Sequence, residues 1–209
     1  MPPQLYYITD RRQFPGDRRD QEHRLLEKIR ECAMAGVEYI QLREKDLSPR
    51  ALEELAHKAM AAVHGSATRL LINSRTDVAL ACGAQGVHLP ANDLQATEVR
   101  AVFARAGVRA PVIAVSAHSL TDVLNGESHG ADFAVFAPVF EKAGSPNSAG
   151  LEQLRQICGR AQASMPVFAL GGVTRENARL CVEAGAAGIA GIRLFQENDA
   201  RRVVMLLRG

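Results

Sequence analysis

Short apolar runs alternate with longer amphipathic segments along this chain, and that alternation limits the fold more than any single motif. The runs are Leu5–Thr9, Tyr39–Leu42, Arg69–Asn73, Gly86–Leu89, Val112–Ser116, Phe133–Pro138, Val167–Leu170 and Gly188–Ile192. Each is apolar on both faces and bounded by Gly, Pro or polar residues, the pattern of a strand buried in a parallel sheet. Between them, Glu22–Ala35, Pro49–Val63, Gln95–Ala106, Leu151–Gln162 and Arg175–Ala184 repeat apolar residues at three and four positions, so each presents one core-facing helical stripe. Gly36, Gly83, Gly130 and Gly185 fall just after a helical segment and just before a strand, where a left-handed cap is wanted. Two strand–helix units per repeat and four repeats give eight units of roughly 26 residues, which suits a single (β/α)8 barrel over residues 1–209. A doubly wound open sheet would carry a glycine fingerprint after its first strand, whereas Thr9-Asp10-Arg11-Arg12 follows here.

The bulk properties exclude several function classes. A net charge of +2 supplies no stripe for nucleic acid and no patch for an anionic membrane. No apolar run approaches the roughly 18 residues of a membrane span, and no signal peptide precedes the first strand. A cytoplasmic location is therefore expected. The basic positions Arg11, Arg12, Arg18 and Arg19 read as a solvated loop. Four dispersed cysteines without a C-x-x-C pair read as reduced and buried, not as a zinc or redox site. Self-association into a homo-oligomer stays open, because apolar residues on outer helices serve packing and assembly alike.

In such a barrel the chemistry sits at the C-terminal ends of the strands. Gly171 and Gly172 end the seventh run, and Gly191 ends the eighth with Arg193 close behind. Backbone N–H groups freed of side chains there can gather an anion, so a ligand phosphate is expected. Gln41, Arg43 and Lys45 alternate at the end of the second run, and period two sends all three toward the mouth. Two cations and an amide suit a phosphate or pyrophosphate. Asn73 either holds a ligand oxygen or caps the helix starting near Thr76. Asp93 reads as the cap of a helix near Gln95, with a metal role as its alternative. Ser116 and His118 close the fifth run, and His118 is the natural general acid or base near neutral pH, or else a helix cap. His88 reads as structural. Lys142 follows the sixth run.

Taken in order, Tyr7-Ile-Thr-Asp10, Gln41-Leu-Arg-Glu-Lys45, Leu71-Ile-Asn-Ser-Arg-Thr-Asp77, Gly86-Val-His-Leu89, Val115-Ser-Ala-His-Ser-Leu120, Gly130-Ala-Asp132 and Leu170-Gly-Gly172 resemble the thiamine phosphate synthase/TenI family. The resemblance covers nearly the whole chain. It implies thiamin biosynthesis, with a thiazole phosphate as small-molecule ligand. Synthases of the family join an aminopyrimidine pyrophosphate to that thiazole phosphate with Mg2+. TenI-type members instead isomerise a thiazole carboxylate phosphate without metal.

The resemblance assigns Gln41, Arg43, Lys45, Asn73 and Ser116 to substrate contacts, Asp93 to one of two Mg2+ carboxylates, and His118 to the TenI general base. Three synthase features are replaced. Ser74 stands where a second carboxylate belongs, Lys142-Ala-Gly-Ser145 stands for a Thr-x-Thr-Lys clamp, and Arg193 stands for a serine. Each lost donor or ligand weakens charge stabilisation on a leaving pyrophosphate, whereas a proton shuttle needs neither. Leu89-Pro90 and Val139-Phe140-Glu141 also resemble TenI sequences. A metal-free, TenI-like tautomerase with His118 as base is thus the leading expectation. A synthase using Mg2+ is the alternative, and a non-catalytic barrel binding thiazole or thiamin phosphate is the third.

Overall fold

In the computed structural model, which describes residues 2–140, 148–161 and 165–209, the eight apolar runs pair side by side into a closed parallel barrel. The strands are β1 (Gln4–Ile8), β2 (Tyr39–Leu42), β3 (Arg69–Asn73), β4 (Gly86–Leu89), β5 (Val112–Ala117), β6 (Phe133–Phe136), β7 (Val167–Ala169) and β8 (Gly188–Gly191). Each follows its neighbour in sequence order, and β8 closes on β1 through the register Gln4↔Gly188 to Tyr7↔Gly191. The expected sixth strand is shortened at its end. Ala137 still donates to the Ala117 carbonyl, but Pro138 has no N–H to continue the ladder.

The outer helices are α1 (Arg18–Ala35), α2 (Pro49–Val63), α3 (Thr76–Cys82), α4 (Ala96–Arg105), α5 (Leu120–Ser128), α6 (Ser148–Ala161), α7 (Ala178–Glu183), α8 (Arg193–Gln196) and α9 (Ala200–Arg208). Their ends follow local chemistry. Asp17 caps α1 by accepting from the amides of Arg19 and Asp20, and Ser48 caps α2 ahead of Pro49. Gly36, Gly83, Gly130 and Gly185 all adopt positive φ, as their spacing anticipates. Helix α7 begins three residues later than expected, because the Asn177 side chain folds back to accept from the Thr174 amide. The C-terminal pair α8 and α9 lies beyond the segments assigned from sequence. Helix α9 returns to α1, where the Ala200 amide donates to Glu31 at 2.7 Å, and Arg208 pairs with Glu38, just ahead of β2, at 2.5 Å.

Strand alternation sorts side chains into two cores. Leu5, Ile40, Leu70, Val87, Ile113 and their neighbours face the helices, while Tyr6, Leu71, Ala114, Phe133, Phe168 and Ala190 face the interior. Near the N-terminal ends of the strands the interior is an aromatic plug. Phe133 and Phe168 stack at 4.5 Å between centroids, with Tyr39 4.9 Å and Tyr6 5.5 Å from Phe133. A side chain at Gly188 would place its Cβ 2.7 Å from the Phe168 ring, so glycine in β8 makes room for the plug. Each ring so buried contributes about 1.5–3 kcal/mol relative to exposure. The plug seals one end and leaves polar interior residues to the opposite, C-terminal end.

All four cysteines are buried and free, as expected. Among the described residues no helix is long and apolar enough to cross a membrane.

Candidate active site

Above the plug, four interior polar groups form a continuous hydrogen-bonded chain. Gln41 Nε2 donates to Tyr6 Oη at 2.9 Å, Tyr6 Oη lies 3.1 Å from His88 Nδ1, and His88 Nε2 lies 2.8 Å from Ser116 Oγ. Gln41, Tyr6 and His88 are essentially inaccessible, whereas Ser116 is half-buried at the end of β5. Burial, reinforced by the Arg43 charge, lowers the His88 pKa to about 3, so this imidazole is neutral. The expectation that Gln41 reaches the mouth is corrected: it points inward as period two requires, but one layer down, on Tyr6. The structural reading of His88 holds for its burial, although its partners lead to the mouth. Tyr6 was not singled out from sequence. A tyrosine facing a barrel interior needs a partner for its hydroxyl, and that was the available signal.

Strand β2 ends at Leu42, so Arg43 and Lys45 are not simply the next teeth of the same comb. The Arg43 amide donates to Thr9 Oγ1 at 2.9 Å, and Leu47 donates back to the Glu44 carbonyl in a turn. Arg43 is half-buried and Lys45 exposed; among the described residues neither makes an ion pair. Glu44 and Asp46 are taken instead by Arg11, at 2.8 and 2.6 Å. The reading of Arg11 as a solvated loop residue is therefore corrected, since it is 4% exposed. Thr9 Oγ1 also donates to Glu44 at 2.7 Å. Burial raises the Glu44 pKa against these hydrogen bonds, while the Arg11 hydrogen bond lowers that of Asp46. Removing one partner of the buried Arg11–Glu44 pair costs about 3–5 kcal/mol. This lock consumes the acidic residues that could otherwise neutralise Arg43 and Lys45.

Asn73 ends β3 facing the interior, by alternation with Leu71. It does not cap α3, whose flanking residue Arg75 makes no side-chain cap. Ser74 next to it holds φ +63°, the only non-glycine in the left-handed region among the described residues. Its hydroxyl bonds Asp93 Oδ2, while Asp93 Oδ1 accepts from the Leu94 amide at 2.8 Å. The cap reading of Asp93 is corrected as well. Helix α4 starts after Gln95, and the Gln95 amide is bound by Glu98 at 2.9 Å. The Asp93 carboxylate thus sits beside the end of β3, tied to a serine.

His118 follows β5, exposed, with Nδ1 2.8 Å from the Ala137 carbonyl oxygen and its amide on Asp122 Oδ2 at 2.8 Å. Ser119, not His118, caps α5 by accepting from the Asp122 amide. A carbonyl only accepts, so Nδ1 of the neutral ring carries the proton and Nε2 is left as a base.

Gly171 and Gly172 hold φ +93° and +63°, and the loop after β6 packs directly against them. A Cβ at Gly171 would lie 2.7 Å from Pro138 Cα, and one at Gly172 2.8 Å from the Phe140 carbonyl oxygen. Both positions therefore need glycine for the turn itself. Among the described residues nothing accepts the amides of Gly171, Gly172 or Val173. Gly191 leads at once into the short helix α8, which Arg193 opens, exposed. Loops after strands 7 and 8 plus a short extra helix are the usual phosphate site of this architecture. Lys142 lies outside the described residues. Among those residues no group of three metal-ligating side chains is assembled.

The fold and site define a (β/α)8 barrel with hydroxyl and amide groups at its mouth and, among the described residues, cations and backbone N–H groups without partners. Residues 5–195 match the family model described as thiamine monophosphate synthase, and the chain belongs to that family. It is 38% identical over 197 residues to a putative thiamine-phosphate synthase 2 of Aquifex aeolicus, covering 93% of this chain and 98% of that protein. It is 34% identical over 207 residues to the thiamine-phosphate synthase of Syntrophomonas wolfei, covering 95% and 93%. A thiamine phosphate pyrophosphorylase structure from Pyrococcus furiosus superposes with TM-score 0.80 at 30% identity, covering 98% of this chain and 93% of that one.

Proposed function

We propose that this chain is a thiamine-phosphate synthase, a transferase that joins an aminopyrimidine pyrophosphate to a thiazole phosphate and releases pyrophosphate. This revises the leading expectation of an isomerase. The observation that carries the revision is end-to-end similarity to relatives that bear the synthase name, at 38% and 34% identity. The family also supports a small phosphorylated substrate and a cytoplasmic place of work.

The reaction breaks a carbon–oxygen bond to pyrophosphate as the bond to the thiazole forms, so charge accumulates on the leaving group. Arg43 and Lys45, which pair with no acidic residue among those described, would receive that charge, with Ser116 and Asn73 as hydrogen-bonding groups beside them. Lys142 and Arg193 would add cations in place of the family's clamp. The thiazole phosphate would rest on the open amides of Gly171 and Gly172, with Gly191 across from them.

Mg2+ takes oxygen ligands and commonly uses one or two carboxylates plus substrate phosphates. Asp93 fits that role as a single carboxylate, with Ser74 Oγ as a neutral oxygen bonded to it. The ion would neutralise the leaving pyrophosphate. With only one carboxylate, more of the charge falls to Arg43 and Lys45.

A second reading rests on one observation. The Nδ1 proton of His118 is held by Ala137, which leaves Nε2 as the base a TenI-type tautomerase needs. Pyrophosphate release that depends on both substrates and on Mg2+ supports the synthase. Isomerisation of the thiazole carboxylate phosphate without pyrophosphate release supports the tautomerase.

A further inference from the structure

The interior chain of Gln41, Tyr6, His88 and Ser116 has a proton inventory that admits few arrangements. Tyr6 Oη accepts from Gln41 Nε2, so its own proton needs a second partner. The remaining partner of Tyr6 Oη among the described residues is His88 Nδ1. Burial raises the phenol pKa far above its ordinary value, so the phenol keeps that proton. A ring nitrogen that accepts a hydrogen bond is bare, and the imidazole then carries its N–H on the other nitrogen. If Nδ1 accepts from Tyr6, the N–H is at Nε2, and it donates to Ser116 Oγ. Ser116 then has its acceptor side engaged from below. Its own proton is directed to whatever occupies the mouth.

We infer that His88 is a positioning residue: the Gln41–Tyr6–His88 chain holds the Ser116 hydroxyl as a donor toward an anionic oxygen of the bound ligand. The sense of the chain matches its setting, since the Arg43 charge lies close enough to act on His88 and draws an anion to the same place. Reversing it requires the Gln41 amide to turn its oxygen to Tyr6. Every bond would then flip, and Ser116 would present a lone pair to an anion, which repels. Gln41 therefore sets the direction of a hydroxyl three residues along the relay. The inference rests on reading the mouth as an anion site, not on which reaction follows.

Two measurements on the full chain test it. Nitrogen-15 NMR of the ligand-free protein, with the His88 ring assigned through His88→Gln, reads the tautomer directly. The proton is expected on Nε2 with Nδ1 bare. A proton on Nδ1, or on both nitrogens, would overturn the inference. Second, binding of inorganic pyrophosphate is measured for Tyr6→Phe, Ser116→Ala and the double variant. Each single change is expected to weaken binding about tenfold, as loss of a hydrogen bond to a charged group does. The double variant should bind like Ser116→Ala alone, because the two act through one bond. Losses that multiply to about a hundredfold would contradict the relay. A wild type that does not bind pyrophosphate would count against the synthase reading, while the tautomer still decides the relay.

Discussion

His118 Nδ1 lies 2.8 Å from the carbonyl oxygen of Ala137, which ties the residue after β5 to the residue after β6. The bond fixes the ring orientation and its tautomer, whichever chemistry the mouth performs. A positioning contact and a catalytic base differ in what removal costs. In a synthase, His118→Ala is expected to lower turnover less than tenfold, whereas loss of a general base costs about 10²–10⁴-fold. Steady-state rates of both reactions with the variant separate the two.

The glycine pair makes a structural test possible. Gly171→Ala puts a side chain on a residue at φ +93° and 2.7 Å from backbone at Pro138. A left-handed non-glycine residue alone costs about 1–2 kcal/mol, and the contact adds to it. Urea unfolding should show a loss of about 2 kcal/mol or more, with weaker binding of the thiazole phosphate. Unchanged stability would mean that the loop after β6 yields easily.

Ser74→Asp would restore the second carboxylate. Position 74 already holds a left-handed φ that Asp tolerates, and its side chain already reaches Asp93. Two adjacent carboxylates repel without metal and share a divalent ion with it. The variant is expected to lose about 1 kcal/mol of stability in chelator. Pyrophosphate release should then saturate at several-fold lower Mg2+. Equal Mg2+ dependence in both proteins would argue that Asp93 holds no metal.

His88 gives the pH test. Its folded pKa of about 3 lies below the ordinary 6.5, so between these values the unfolded chain binds a proton that the native state refuses. Stability from this group is therefore present above about pH 6.5 and falls by about 1.4 kcal/mol per unit as pH drops. His88→Gln removes the titration and keeps a polar group. Unfolding curves between about pH 6.5 and 5 should be steeper in pH for the wild type by about that slope. Parallel curves would mean that His88 protonates within the fold.

What the sequence made legible was whatever depends on short-range pattern. The bounds of β2, β3 and β4 and of α2 follow from apolar runs, Pro49 and the Ser48 cap, all local features. Gly171 and Gly172 follow β7 and Gly191 ends β8, as the apolar runs place them. The misreadings share a different cause. Arg11 is buried by Glu44, 33 residues away, and Gln41 is occupied by Tyr6, 35 residues away. Strand alternation states which side chains face inward, but not how deep each sits or which partner it meets there. Asp93 gave way to Gln95, which flanks α4 and whose amide Glu98 binds, a choice between neighbours that spacing alone leaves open.

The mouth of this barrel is proposed to release pyrophosphate as it joins two substrates. The direct measurement supplies the aminopyrimidine pyrophosphate, the thiazole phosphate and Mg2+ to the purified chain and follows pyrophosphate over time. The synthase reading requires release that needs both substrates, stops in chelator and falls when Arg43 is changed to Gln. Isomerisation of the thiazole carboxylate phosphate with no pyrophosphate released, or turnover of neither substrate set, would contradict it.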